Sequence, residues 1–183
     1  RNRMDFVIDF EGRVGMREKG KWWKVIDGHP CFLADEKIDS LFFLVREWVK
    51  NSGLYFYDRK THVGLLRYAV IRATSIGQTM VNIITSAPKD EAEREALLSS
   101  LLNFSTPSTL LWSINHTITD ISVGDETRII NGSGFIEETI ADYRYHISPN
   151  AFFQTNSFAA PLLLNTVKTF CGDLSDKTLL DLY

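Results

Sequence analysis

The residues best equipped for chemistry lie in one short run, Phe152-Phe153-Gln154. A side-chain amide carries both N–H donors and an acceptor oxygen, so Gln154 suits a carboxylate, a ribose or the edge of a base. The two phenyl rings beside it could shield such a site from water or stack on a base. A plainer reading makes the phenylalanines core and Gln154 the residue that starts a helix. A second candidate set closes the chain. Thr178 to Tyr183 is apolar and reads as a buried parallel strand, and the ends of such strands face the crevice where ligands bind in open α/β sheets. Asp181 and Tyr183 sit at that end.

Other reactive side chains are scattered. Arg67 and Arg72 lie on one strand at an odd separation, which sends them to opposite faces, so one points to the interior or to a site. A structural salt bridge is the competing role for either. The sequence names no partner for His62, which reads as a loop residue. Cys31, in Gly28-His29-Pro30-Cys31, and Cys171 are too far apart for a disulfide framework or a zinc site. Cysteine is a soft metal ligand but also a small, readily buried residue. No Ser-His-Asp set, carboxylate pair or phosphate-binding loop is present.

Elements must hold these residues in place. A chain of 183 residues, 44% hydrophobic, can bury a sizeable core, and no apolar run approaches the roughly 18 residues of a membrane span. The net charge of −3 argues against a strong nucleic-acid binder acting alone, because affinity for RNA comes largely from neutralising phosphates. Residues 1–24 are locally basic, and Arg13, Arg17, Lys19, Lys21 and Lys24 suit either an RNA-facing edge or a solvated hairpin face. A cytoplasmic origin is the expectation.

Met4 to Phe10 alternates apolar and polar residues, Val14 to Met16 returns, and Trp22 to Ile26 completes an antiparallel meander. Ile38, Leu41, Phe42, Val45, Trp48 and Val49 fall at helical spacing, with Asp35 as N-cap and Gly53 as stop. Strands over 66–73 and 78–85 flank Ser75-Ile76-Gly77. A helix over 88–104 follows, then a strand over 109–115, a polar loop over 120–126, and short strands at 129–130, 135–139 and 143–147. Asn156 caps a third helix over 157–170, in which Pro161 removes one backbone hydrogen bond. The fold class is α+β, a mixed sheet with helices on one face.

Taken in order, Arg1-Asn2-Arg3, Gly64-Leu65-Leu66-Arg67, Ser148 to Asn156 and Asp181-Leu182-Tyr183 resemble the S-adenosylmethionine-dependent RNA (uracil-5-)-methyltransferases, which make 5-methyluridine in transfer and ribosomal RNA. The resemblance covers essentially the whole chain. It rests mainly on Phe-Phe-Gln-x-Asn followed, 25 residues after Asn156, by Asp181-Leu182-Tyr183. In that family Asp-Leu-Tyr leads into a Cys-Gly-x-Gly loop that receives the cofactor. The resemblance therefore implies a central α+β domain over 1–147 and, over 148–183, the first helix and strand of a Rossmann-like methyltransferase domain, cut short. It implies that Gln154 and Tyr183 contact S-adenosylmethionine, with Asp181 bracing the glycine loop. Phe152, Phe153 and Arg67 become RNA-contacting candidates. In many members the cysteine matching Cys31 is the fourth ligand of an iron–sulfur cluster, whose other three cysteines lie upstream. The nucleophilic cysteine that adds to uracil C6 and the glutamate that removes the C5 proton are expected past Tyr183. The implied partner is tRNA or rRNA, with no DNA and no membrane, and the chain by itself is expected to be an inert fragment. Two rivals stand beside this: a non-catalytic RNA- or protein-interaction module sharing the fold, and a methyltransferase for another substrate such as a protein amide.

Overall fold

In the computed structural model, residues 1–104 and 107–180 are described. Nine strands and three helices follow in the order β1 (Arg3–Ile8), β2 (Val14–Glu18), β3 (Lys21–Asp27), α1 (Glu36–Asn51), β4 (Leu66–Ala73), β5 (Thr79–Thr85), α2 (Glu91–Leu102), β6 (Thr109–Ile114), β7 (Glu126–Asn131), β8 (Ile136–Ile140), β9 (Tyr143–Ile147) and α3 (Ala160–Cys171). Seven strands form one sheet in the order β3-β2-β1-β4-β5-β6-β7, and β8 and β9 make a separate hairpin. Neighbours in the large sheet are antiparallel except β5 and β6, which run parallel because α2 carries the chain back between them.

The alternating pattern of β4 divides its side chains between two layers. Ala69, Ile71 and Ala73 meet Ile38, Phe42, Val45 and Val49 of α1 and Leu97 and Leu101 of α2 on one face. Phe42 packs on Phe6 with ring centroids 4.5 Å apart. Trp48 joins the two helices by donating its indole N–H to Ser100 Oγ at 2.9 Å. On the far face Tyr68 and Val70 pack with Val7, Val25 and Ile84, while Met80 and Leu111 are covered by Ile136 and Ile147 of the hairpin. Helices α1 and α2 thus share one face of a mixed sheet, as the sequence pattern implies, and the hairpin forms a partial third layer on the other.

Several boundaries differ from the pattern. β1 ends at Ile8 because the Asp9 carboxylate accepts from the backbone N–H groups of Glu11 and Arg13, closing a turn. Phe10 is left exposed. Helix α3 begins at Ala160 rather than Ser157, after an Asn156 turn in which Oδ1 accepts from the Ala159 N–H at 3.2 Å. Pro161 therefore falls in the first turn, where its missing N–H would have had no helical partner, and it costs the helix nothing. The expected terminal strand is not formed over 178–180. Leu179 and Leu180 are exposed, and no strand among the described residues pairs with them; residues 181–183 lie outside the described residues.

Trp112 is the largest fully buried side chain, and its indole N–H donates to Thr85 Oγ1 at 2.8 Å. Trp112→Ala should cost about 3–5 kcal/mol of stability through lost contacts and a cavity. Thr85→Val, which leaves the indole N–H unpaired, should cost about 1–3 kcal/mol. Urea unfolding followed by circular dichroism checks both values.

Candidate functional site

The segment 148–159 has no regular secondary structure, yet its backbone is tied down at many points. Arg72, on the far face of β4, donates to the carbonyls of Pro149 and Ala151. Asn2 donates its side-chain amide to the Gln154 carbonyl at 2.9 Å and to Ser157 Oγ at 2.8 Å, and its backbone N–H to the Thr155 carbonyl at 2.9 Å. Asn150 reaches the Gly124 carbonyl at 3.4 Å. Glu138 of β8, fully buried, accepts from the backbone N–H and hydroxyl of Ser75, the Thr139 N–H at 2.9 Å and Ser157 Oγ at 2.7 Å.

These ties fix the main chain and leave side chains free. Gln154 does not start a helix. Its backbone carbonyl is held by Asn2, while its side-chain amide is exposed and makes no hydrogen bond among the described residues. Phe153 is half-buried, packed against the Met80–Leu111–Ile136–Ile147 cluster and edge-on to Tyr145 at 5.5 Å. Phe152 points outward and is 73% exposed. Gln154, Phe152 and Phe153 line a cleft of about 310 Å³ with Ile140, Tyr145, Ala160, Leu163 and Leu164. Such a cleft, mostly apolar with one amide, can take a flat ring against its walls and hydrogen-bond its edge.

No protein-family model matches the chain. Similarity to individual proteins is extensive. The chain is 34% identical over 184 residues to the tRNA (uracil(54)-C(5))-methyltransferase of Pyrococcus horikoshii, covering all of this chain and 42% of that protein. It is 33% identical over 190 residues to an RNA methyltransferase of Caldanaerobacter subterraneus, again covering all of this chain and 42% of the relative. The chain is thus similar along its whole length to proteins named as RNA methyltransferases. It spans less than half the length of these relatives. The fold agrees: the solved structure of the Pyrococcus abyssi tRNA (uracil-54, C5)-methyltransferase in complex with S-adenosyl-L-homocysteine superposes with a TM-score of 0.73 at 30% identity, covering 92% of this chain and 40% of that one.

The other candidates are dispersed. Arg67 is 1% exposed, with its guanidinium turned inside the protein. Its guanidinium lies 4.4 Å over the Tyr57 ring and donates to the carbonyls of Thr117, at 2.8 Å, and Thr119. Nor do Arg67 and Arg72 point to opposite faces. The pairing of β4 with β5 shifts register between Leu66 and Tyr68, so Leu66 and Ala69 share the helix-covered core. The bulge leaves Arg67 and Tyr68 reaching for the same 117–120 loop. Of the basic residues near the start, Arg13 pairs with Asp9 and Glu11, Arg17 with Asp120, and Lys21 and Lys24 with Glu18, which favours a solvated, self-paired edge.

Cys31 packs partly against the core in a turn closed by the Ala34 N–H on its own carbonyl at 2.7 Å. The chain's thiols do not fit an iron–sulfur cluster by themselves. Cys31 and Cys171 are the only two cysteines, and among the described residues no three metal-ligating side chains converge. Tyr183 and Asp181 lie outside the described residues.

Asn2, Arg72 and Glu138 hold the site without any sign of it in local sequence. Asn2 and Glu138 are polar residues within strand-rich stretches, and their partners lie far along the chain. Burial disfavours the charged form of Glu138, but hydrogen bonds from Ser75, Ser157 and backbone N–H groups outweigh it and hold the carboxyl below its ordinary value of 4.5. A carboxyl whose folded-state pKa is lowered contributes stability above the unfolded value, and that contribution is lost as pH falls through the folded one. Glu138→Gln should therefore destabilise the chain by about 1–3 kcal/mol at neutral pH. It should also flatten the loss of stability that the unmodified chain shows below pH 4.5. Urea titrations at neutral and acidic pH measure both effects.

Proposed function

We propose that the whole protein transfers a methyl group from S-adenosylmethionine to C5 of a uridine in RNA, and that this chain supplies part of the cofactor and RNA surface. The observation that carries the reading is Gln154, whose backbone is clamped by Asn2 while its amide stands free in an apolar cleft. It is supported by the similarity of the whole chain to a tRNA (uracil(54)-C(5))-methyltransferase.

S-adenosylmethionine, when bound, supplies an electrophilic methyl group. The residues of this chain act on binding and orientation. The Gln154 amide, with both donors and acceptor unspent, can hold the amino-acid carboxylate or the ribose of the cofactor. The Phe153 and Tyr145 rings form an apolar wall that keeps water from one side of the cleft. Phe152, extended into solvent, offers a face for a base of the RNA. Asn2, Arg72 and Glu138 act as positioning residues, since each touches the segment and none lines the cleft.

In the full-length protein, Gln154→Ala should lower transfer of labelled methyl from S-adenosylmethionine to RNA by about tenfold or more. The exposed side chain makes no hydrogen bond to lose among the described residues, so the urea midpoint should stay within error of the unmodified protein. Near-normal turnover in this variant would remove Gln154 from the cofactor site.

A further inference from the structure

A second cavity opens at the opposite end of the sheet. β5 and β6 are parallel, and their carboxyl ends, at Thr85–Ala87 and Asn115–Thr117, lie side by side beneath the loop over residues 55–64. Ligands in α/β units collect outside the carboxyl ends of parallel strands. The space here is about 570 Å³, ample for a mononucleotide-sized group. Arg72, which anchors the Gln154 segment, sits at the far end of β4 from Leu66, roughly 20 Å away at 3.3 Å per residue. The two cavities share no lining residue.

The walls have a consistent chemistry. Tyr55 and Phe56 supply aromatic surface, and Val63 and Ile118, both exposed, extend the apolar rim. Lys89 Nζ lies 5.2 Å over the Tyr55 ring, placing one cation at the mouth. Gly64 admits the close approach of the loop. A Cβ there would run into the Phe56 carbonyl, and its φ of +113° is one that other residues rarely adopt. Asn115 is 2% exposed, and its side-chain oxygen is spent on the Thr117 N–H and hydroxyl, each at 2.8 Å. Its amide nitrogen is buried without a partner among the described residues. A buried donor left unpaired is costly, which is a reason to expect an acceptor from outside.

The N-terminus of α2 is not available as a phosphate site. The first turn of α2 is closed on itself, with the Glu93 N–H donating to Asp90 and the Lys89 N–H to Glu93, both at 2.8 Å. Two carboxylates therefore occupy the place where an anion would bind. An aromatic slot with one unpaired donor and one cation at its mouth, and with the lining Glu93 carboxylate already engaged by the Lys89 N–H, fits a flat base joined to a single backbone phosphate. The cavity's lining includes no cysteine.

We propose that this cavity takes one unstacked nucleobase of the RNA substrate, at a nucleotide other than the one methylated. The proposal rests on the RNA-methylating reading above. The base stacks on Tyr55, and Lys89 meets its phosphate.

The test uses the full-length protein and fluorescein-labelled tRNA, with equilibrium anisotropy as the readout. Tyr55→Ala should weaken binding by about fivefold or more, and Tyr55→Phe, which keeps the ring, should retain it. Tyr55 is 66% exposed, so the fold should survive either change. Photocrosslinking of tRNA containing 4-thiouridine should label a peptide within residues 55–64. Unchanged affinity in Tyr55→Ala, or crosslinks confined to other segments, would overturn the proposal even where the protein methylates the RNA. Failure of the unmodified protein to methylate any RNA would instead sink the catalytic reading, and the Tyr55 anisotropy arm would still decide the cavity.

Discussion

Two guanidinium groups are buried on one strand, and neither is neutralised by an ion pair among the described residues. Arg67 and Arg72 are 1% and 3% exposed; each donates from its terminal guanidinium nitrogens to main-chain carbonyls of distant loops, while its Nε is buried without a partner among the described residues. A charge moved out of water must be surrounded by fixed dipoles or lose its proton. Burial, with Arg3 nearby, pushes Arg72 down to about 10, which still leaves it protonated at neutral pH. The carbonyls are therefore obligatory partners. A loop that swung away would strand a buried cation, and that cost holds the 117–119 and 149–151 segments against the sheet.

This constraint explains how an irregular segment can be a precise one. Residues 148–159 make no helix or strand, so no ladder of hydrogen bonds fixes them. Their carbonyls are instead taken by Arg72 and Asn2, and Ser157 is taken by Glu138. Arg72 lies on the sheet, Glu138 on the hairpin that covers it, and Asn2 immediately before β1. Orientation is thus prepared in the free protein, and a ligand meeting Gln154 would not have to pay the ordering entropy of the segment.

The fold was most legible in sequence where an element keeps a wetter face beside a dry one. The period-2 run at Met4–Ile8 and the helical spacing of Ile38 to Val49 state their burial directly. Where burial comes from the far face, the pattern is mute: β4 is buried on both sides, so its bulge left no trace, and Arg67 was assigned to the wrong surroundings. Leu179-Leu180 failed for a different reason. An apolar run says that a segment seeks neighbours, and the neighbours have to come from elsewhere. Gln154 was legible only as part of a motif, since nothing in the types around it announces that Asn2, 152 residues away, holds its carbonyl.

Strand β4 carries the argument from one end of the molecule to the other. At its start the bulge turns Arg67 under the Thr117 carbonyl, so the guanidinium braces the rim of the aromatic cavity that Thr117 lines. At its other end Arg72 braces the cleft that contains Gln154. Without the bulge, alternation along the strand would place one of the two cations in the helix-covered core among Leu66, Ala69 and Ile71, where no carbonyl-rich loop waits for it. One irregular residue pair thus lets a single strand hold both loops from the same face. The distance between the two sites is then set by the rise of β4, a quantity that neither loop can change by itself.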